Sequence, residues 1–139
     1  MTVTEDSNGW VASYMAGMKA FAENNHAEAI AHYKRALEHD ADNVDVLGAL
    51  AMSLSNSNEH DEAIALGHRI SELDPADPMV HTSLSMFYQR RGMHKEQPQD
   101  IELAEEQAAI HRMKSWKQEL KKNPNAPPPA DDGGLGVIQ

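Results

Sequence analysis

Eight histidines, 22 acidic residues and a Gly-Gly-Leu-Gly run are the parts of this chain whose types could do chemistry. Imidazoles and carboxylates serve as metal ligands or as acid–base groups, and both uses impose a spacing. A helical zinc site needs two histidines four residues apart with a glutamate beside the first. His26/His32, His32/His39 and His60/His68 are six, seven and eight residues apart, so none meets that pattern. His26 and His60 stand where turns give way to helices, and are expected to cap or to face solvent. His111 is expected to cover the apolar face of the last helix. Glu105-Glu106 reads as a solvated helix face, because carboxylates that move protons need burial to shift their pKa. A phosphate-cradling glycine loop lies between a strand and a helix, whereas the run at Gly133–Gly136 has neither beside it. No nucleophile elbow surrounds the serines. The absence of cysteine removes thiol nucleophiles, disulfides, cysteine zinc sites and haem attachment. The expectation is a non-catalytic protein with no cofactor and no metal.

Composition narrows the partners. With 12 basic against 22 acidic residues the net charge is −10, which argues against nucleic acid and anionic membranes, since both need a basic footprint. No stretch approaches the ~20 apolar residues of a spanning helix, so no membrane insertion is expected. The start, MTVTEDSNGW, has neither the basic nor the apolar region of a signal peptide, and a cytoplasmic location is the default. A basic or apolar protein partner suits this balance.

Any such partner must be met by elements that the chain states twice. HAEAIAHYKRALEHD at 26–40 returns as HDEAIALGHRISELD at 60–74, and ten of the 34 positions of 10–43 are identical in 44–77. Chance would give roughly two or three. A fixed period of this length marks stacked units, each burying its apolar face on the next. Residues 1–9 are polar and expected to be flexible. Trp10 to Glu23 has a 3.6-residue apolar recurrence and predicts a helix, followed by Asn24-Asn25, which tolerates turn conformations. A second helix is expected from about Ala27 to His39, with Asp42 or Asn43 capping a third at Val44–Ser55. Asp61 to Leu73 repeats the second helix and stops at Asp74-Pro75. Asp77-Pro78 opens a fifth.

Val80, Leu84 and Met86 keep the period into a third unit, and Gly92 is expected at its turn. Seven extra residues near 93–99 then break the register. Pro98 is expected to start one long helix ending at Lys122, with Ile101, Ala104, Ala108, Ile110, His111 and Trp116 on its apolar side, its later half shielding the end of the stack. From Asn123 the chain is a Pro/Gly-rich tail, 123–139, with a small apolar motif at Leu135, Val137 and Ile138. That motif is a candidate contact for a partner, a neighbouring copy or the protein's own groove.

The units 10–43, 44–77 and 78–122 resemble the tetratricopeptide repeat. Gly17, Ala29, Tyr33 and Ala36 of the first unit match its small and aromatic positions, with Ala41 in place of its proline. Ala51, Ala63 and Pro75 of the second match its small and proline positions, and Leu84, Ser85 and Tyr88 of the third keep the pattern. Gly67 stands where the aromatic is expected and Ile70 where alanine is. The resemblance implies an all-α, right-handed solenoid of three helix pairs, the third irregular, used as a protein-binding scaffold. It also implies a concave groove lined by the first helix of each unit. The first unit would supply Val11, Tyr14, Met18, Phe21 and Ala22. Asp45, Gly48, Met52, Ser55 and Asn56 would follow from the second, and Met79, Thr82, Met86, Gln89 and Arg90 from the third. Met18, Met52 and Met86 recur at the repeat spacing as a ladder of adaptable side chains suited to an apolar helix or extended segment of a partner. Relatives that grip a chaperone's terminal carboxylate use lysine, asparagine and arginine in slots that here hold Tyr14, Met18, Ala49, Met79 and Ser83, so that use is not expected. The implied function is an adaptor. The other reading is a structural or accessory subunit of a larger complex or homo-oligomer, attached through the tail and the insertion at His94–Gln99.

Overall fold

The computed structural model describes residues 3–129, and among them every regular element is a helix. The order is α1 (Val3–Ala22), α2 (His26–His39), α3 (Val44–Asn56), α4 (His60–Leu73), α5 (Met79–Lys95) and α6 (Gln99–Lys122). The helices pack as successive pairs. Across the pairs α1 meets α3 and α3 meets α5, whereas among the described residues α2, α4 and α6 do not meet one another. The first helices therefore draw together and the second helices splay, which curves the stack into a solenoid with α1, α3 and α5 on its inner side.

Local chemistry sets the boundaries. Asn25 caps α2 by accepting from the Glu28 N–H at 3.3 Å while donating to its carboxylate at 2.8 Å. Asn43 caps α3 through the Val46 N–H at 3.1 Å, and Asp77 accepts from the Met79 N–H at 2.9 Å at the start of α5. Asn24 and Asn58, identical in the two units, leave α1 and α3 with φ of 61° and 64°. Asparagine adopts this left-handed conformation more readily than most residues.

Three expectations change. The helix expected from Trp10 begins at Val3, so most of the stretch read as flexible, 1–9, is helical. Once the amphipathic stretch has nucleated a helix, polar residues extend it without a second nucleation penalty. The turn expected at Gly92 comes instead at Glu96, with φ 54°, so α5 gains an extra turn. Gly92 stays inside the helix because α6 starts against it: a Cβ there would lie 3.0 Å from Asp100 Cβ and 3.1 Å from the Gln97 carbonyl. Pro98 does lead into α6. The buried side of α6 is also rotated from the one expected. Ile101 and Ile110 are 41% and 37% exposed, whereas Asp100 is fully buried beside Ala104. Arg91 brings this about by donating from Nε and Nη2 to both Asp100 oxygens, at 2.9 and 2.8 Å, and a two-pronged ionic pair offsets much of the desolvation.

The core runs through all three pairs, from Tyr33 through Val46, Leu47 and Leu50 to Leu84 and Phe87. The repeated Ala29 and Ala63 are both completely buried, which accounts for their identity. At the far end, the later half of α6 lies over the 75–78 turn. His111 Nδ1 donates to the Pro78 carbonyl (2.9 Å), Lys114 to that of Pro75 (2.6 Å) and Gln118 to that of Ala76 (2.9 Å). The first tail residues fold back on the same helix, with Trp116 Nε1 donating to the carbonyl of the buried Ala126 at 3.1 Å. Leu135, Val137 and Ile138 lie outside the described residues.

Candidate functional site

The inner side of the solenoid is not one trough but a row of recesses between neighbouring helices. Between α1 and α3, Tyr14, Met18, Phe21 and Met52 surround an apolar cup of about 260 Å³ floored by Tyr33 and Ala49. Tyr14 is held between aromatic neighbours, its ring 5.6 Å from Trp10 and 5.9 Å from Tyr33. Met18 is 49% exposed at the lip, while Met52 is half-buried against the core. The methionine ladder therefore divides into one free rung and two, Met52 and Met86, that also pack.

Between α3 and α5 a second cup of about 230 Å³ has an apolar floor of Ala51, Ile70, Val80 and Phe87 and a mouth carrying Asp45, Asp74, Asp77 and Met79. Gly48 opens onto it, with nothing within 4 Å of where a Cβ would stand. A third recess, about 440 Å³, joins Met86 and Gln89 to His111 and Arg112 of α6. Val11 is half-buried on α1 and is not among the residues lining these recesses. The expected groove residues thus serve separate depressions, and Val11 serves none of these.

Asn56 and Arg90 belong to a fourth, open recess of about 420 Å³, shared with Ser55, Asn58, His60, Met93 and His94. Arg90 Nη1 donates to Ser55 Oγ at 3.0 Å and to Asn56 Oδ1 at 2.8 Å, which fixes the guanidinium against the end of α3. His60 does not cap and does not face solvent, contrary to expectation: it is 2% exposed, and its ring lies 5.0 Å from that of His94. Burial pushes its pKa below the ordinary imidazole value, and His94, Lys95 and Arg90 push the same way against Asp61. His26 is half-buried, with its ring edge-on to Phe21 at 5.3 Å. The sequence did carry a signal for this recess, since His26, His60 and His94 follow one another at the 34-residue period. The insertion obscured it by appearing to end the third unit before His94.

Two further histidines bond across neighbouring helices. His81 is buried between Gln107 Oε1 at 2.7 Å and Lys114 Nζ at 3.1 Å, which fits a proton on Nδ1 and a lone pair on Nε2. His68 meets the Tyr88 hydroxyl at 2.7 Å. Among the described residues no three His, Asp or Glu side chains are grouped so that they could hold a metal ion, and no helix is long and apolar enough to cross a membrane. What the arrangement offers is shape: apolar cups for side chains, with charge at their rims.

Known proteins share this design. The tetratricopeptide repeat profile matches residues 20–86. Photosystem I assembly protein Ycf3 of Cuscuta obtusiflora is 30% identical over 82% of this chain and 69% of its own, and that of Acaryochloris marina is 26% identical over 81% and 69%. Among solved structures, the tetratricopeptide domain of Sgt2 from Aspergillus fumigatus superposes with a TM-score of 0.58 at 21% identity, covering 93% of this chain and 92% of that one. A chain of the CopN-Scc3 complex gives 0.65 at 18% identity, over 84% and 69%. The fold, the repeat signature and these relatives agree, and the chain belongs to the tetratricopeptide repeat family.

Proposed function

We propose that the protein holds a segment of another protein along α1, α3 and α5, and that it does so as an assembly factor, while that partner is built into a complex. The observation that carries the reading is the cup of Tyr14, Met18, Phe21 and Met52, an apolar hollow whose lip is left open. Burying one large apolar side chain there contributes about 2 kcal/mol, and methionine adapts to irregular partners. The name of the Ycf3 relatives supports the assembly role. The acidic mouth of the second cup favours a segment with a lysine or arginine beside its apolar anchor.

A photo-crosslinking residue at Met18, with one at the exposed Arg35 of α2 as control, tests this. Adducts from Met18 should map to one short segment of a partner protein, and Met52→Glu should abolish them while helicity is retained. Equal labelling from both positions, or labelling indifferent to Met52→Glu, would sink the proposal.

A further inference from the structure

The recess at the end of α3 has a different character from the apolar cups. Within a chain of net charge −10, it gathers Arg90, His60, His94 and, one residue on, Lys95. Among the described residues no carboxylate pairs with Arg90, which donates through Nη1 to the neutral Ser55 and Asn56 and keeps Nε and Nη2 for another acceptor. The nearby acid, Asp61, is already engaged by Arg91 at 3.0 Å and Lys95 at 3.7 Å. Most telling is His60. Both of its ring nitrogens are buried and neither has a hydrogen-bond partner. A buried polar group left unpaired costs about 1–3 kcal/mol, so an unpaired ring on the wall of a recess needs a reason. The insertion supplies the opposite wall, because the added turn of α5 carries Met93 and His94 to it.

We propose that this recess is an anion site that receives a carboxylate from an acidic side chain of a bound protein segment. The carboxylate would accept from an imidazole N–H of His60 and from the free side of the Arg90 guanidinium, with the Asn58 amide and His94 at the rim. Charge-assisted bonds of this kind are about twice as strong as neutral ones. The site is separate from the slots used by carboxylate-gripping relatives, which here hold Tyr14, Met18, Ala49, Met79 and Ser83. Binding strengthens as pH falls from 7.5 to 6, because an anion stabilises protonated His60 against its burial and the opposing charges of His94, Lys95 and Arg90, with Asp61 acting in the same sense as the anion. That the carboxylate arrives on a protein segment rests on the function proposed above, whereas the recess itself can be tested with no partner present.

The test titrates sodium acetate and, separately, sodium phosphate into the full chain at constant ionic strength, with chloride as the control, following the His60 and His94 ring signals by NMR. Saturable acetate-dependent shifts of both rings are expected, at least threefold tighter at pH 6 than at pH 7.5. They should weaken at least tenfold in Arg90→Gln and vanish for the remaining ring in His60→Phe, which keeps the ring volume and should melt no lower than the parent. Saturation by phosphate alone would overturn the carboxylate assignment. Shifts that match chloride, or that persist in Arg90→Gln, would overturn the site altogether. Because the Met18 crosslink reads a different recess, the anion site and the groove can fail independently.

Discussion

Asp100 shows how one residue can decide the orientation of a helix. Its carboxylate is fully buried, and Arg91 holds it from one side while also reaching Asp61 at 3.0 Å and lying 5.4 Å above the Tyr88 ring. The guanidinium keeps the Asp100 carboxyl below the usual carboxylate range, with burial opposing. A carboxylate whose folded pKa is depressed adds stability above its unfolded pKa of about 3.9 and loses it as pH falls through the lower folded value. Asp100→Ala would remove the two-pronged partner and leave Arg91 with the exposed Asp61 as its carboxylate. Since the Arg91 side chain is only 21% exposed, the loss should approach that of a buried pair, about 3 kcal/mol by urea unfolding at pH 7. The same variant should lose less stability than the parent between pH 4 and pH 2. A loss below about 0.5 kcal/mol, or an unchanged acid limb, would mean that the pair does not set the register of α6. From sequence alone this was illegible, because an aspartate next to an isoleucine reads as the solvent side of a helix until its partner nine residues earlier is seen to be inside.

At the scale of elements, the first two units solve one packing problem in two ways. In the first, Gly17 of α1 receives the Tyr33 ring of α2, and a Cβ on Gly17 would come within 2.4 Å of Tyr33 Cε1. In the second, Ala51 and Gly67 take those positions, and Leu84 of the next unit fills the space, with its Cδ2 2.5 Å from where a Gly67 Cβ would stand. The departure from the family pattern at Gly67 is thus compensated from across the unit boundary. Gly17→Ala sets two effects against each other: alanine gains about 1 kcal/mol of helix propensity over glycine, while overpacking costs about 1–3 kcal/mol. Overpacking should win, because Tyr33 is 2% exposed and backed by Tyr14, so its ring cannot withdraw. The expected net loss is about 1–2 kcal/mol by urea unfolding, largely recovered by adding Tyr33→Leu; a stabilised Gly17→Ala would show that the contact is slack. Six helices, their turns at Asn24 and Asn58 and a cap at Asp42 or Asn43, which the structure resolves to Asn43, were legible, because each follows from local residue chemistry. The length of α5 was not, since it depends on Gly92 meeting α6 across space. The groove residues were legible as a set, but their division among recesses depends on how α1, α3 and α5 splay.

For the whole molecule, stability should fall off along the stack. α3 packs against α1, α2, α4 and α5, whereas α6 packs against α5 alone among the described helices. The buried residues of α3 span Val46 to Ser55, while those of α6, Asp100 and Ala104, both lie in its first two turns. Beyond them α6 is held to the 75–78 turn by His111, Lys114 and Gln118, and to α5 by His81, which meets Gln107 and Lys114. These are a handful of polar bonds worth about 1 kcal/mol each, with no buried apolar side chain behind them. In a stack whose units contact only their neighbours, an end held this way opens without the rest. Native-state hydrogen exchange should therefore show amides of residues 111–122 opening at least tenfold more readily than those of 46–55, a difference of about 1.4 kcal/mol or more. Trp116 provides a second reading, because opening breaks its bond to the Ala126 carbonyl and its fluorescence should change before helicity falls on heating. Equal protection at both ends would mean that the solenoid opens only as a unit, and that the end of α6 is held by more than its contacts with α5 and the 75–78 turn. Early opening there would leave the α1–α3 cup folded, so a partner could remain seated at one end of the stack while the other end exchanges its contacts.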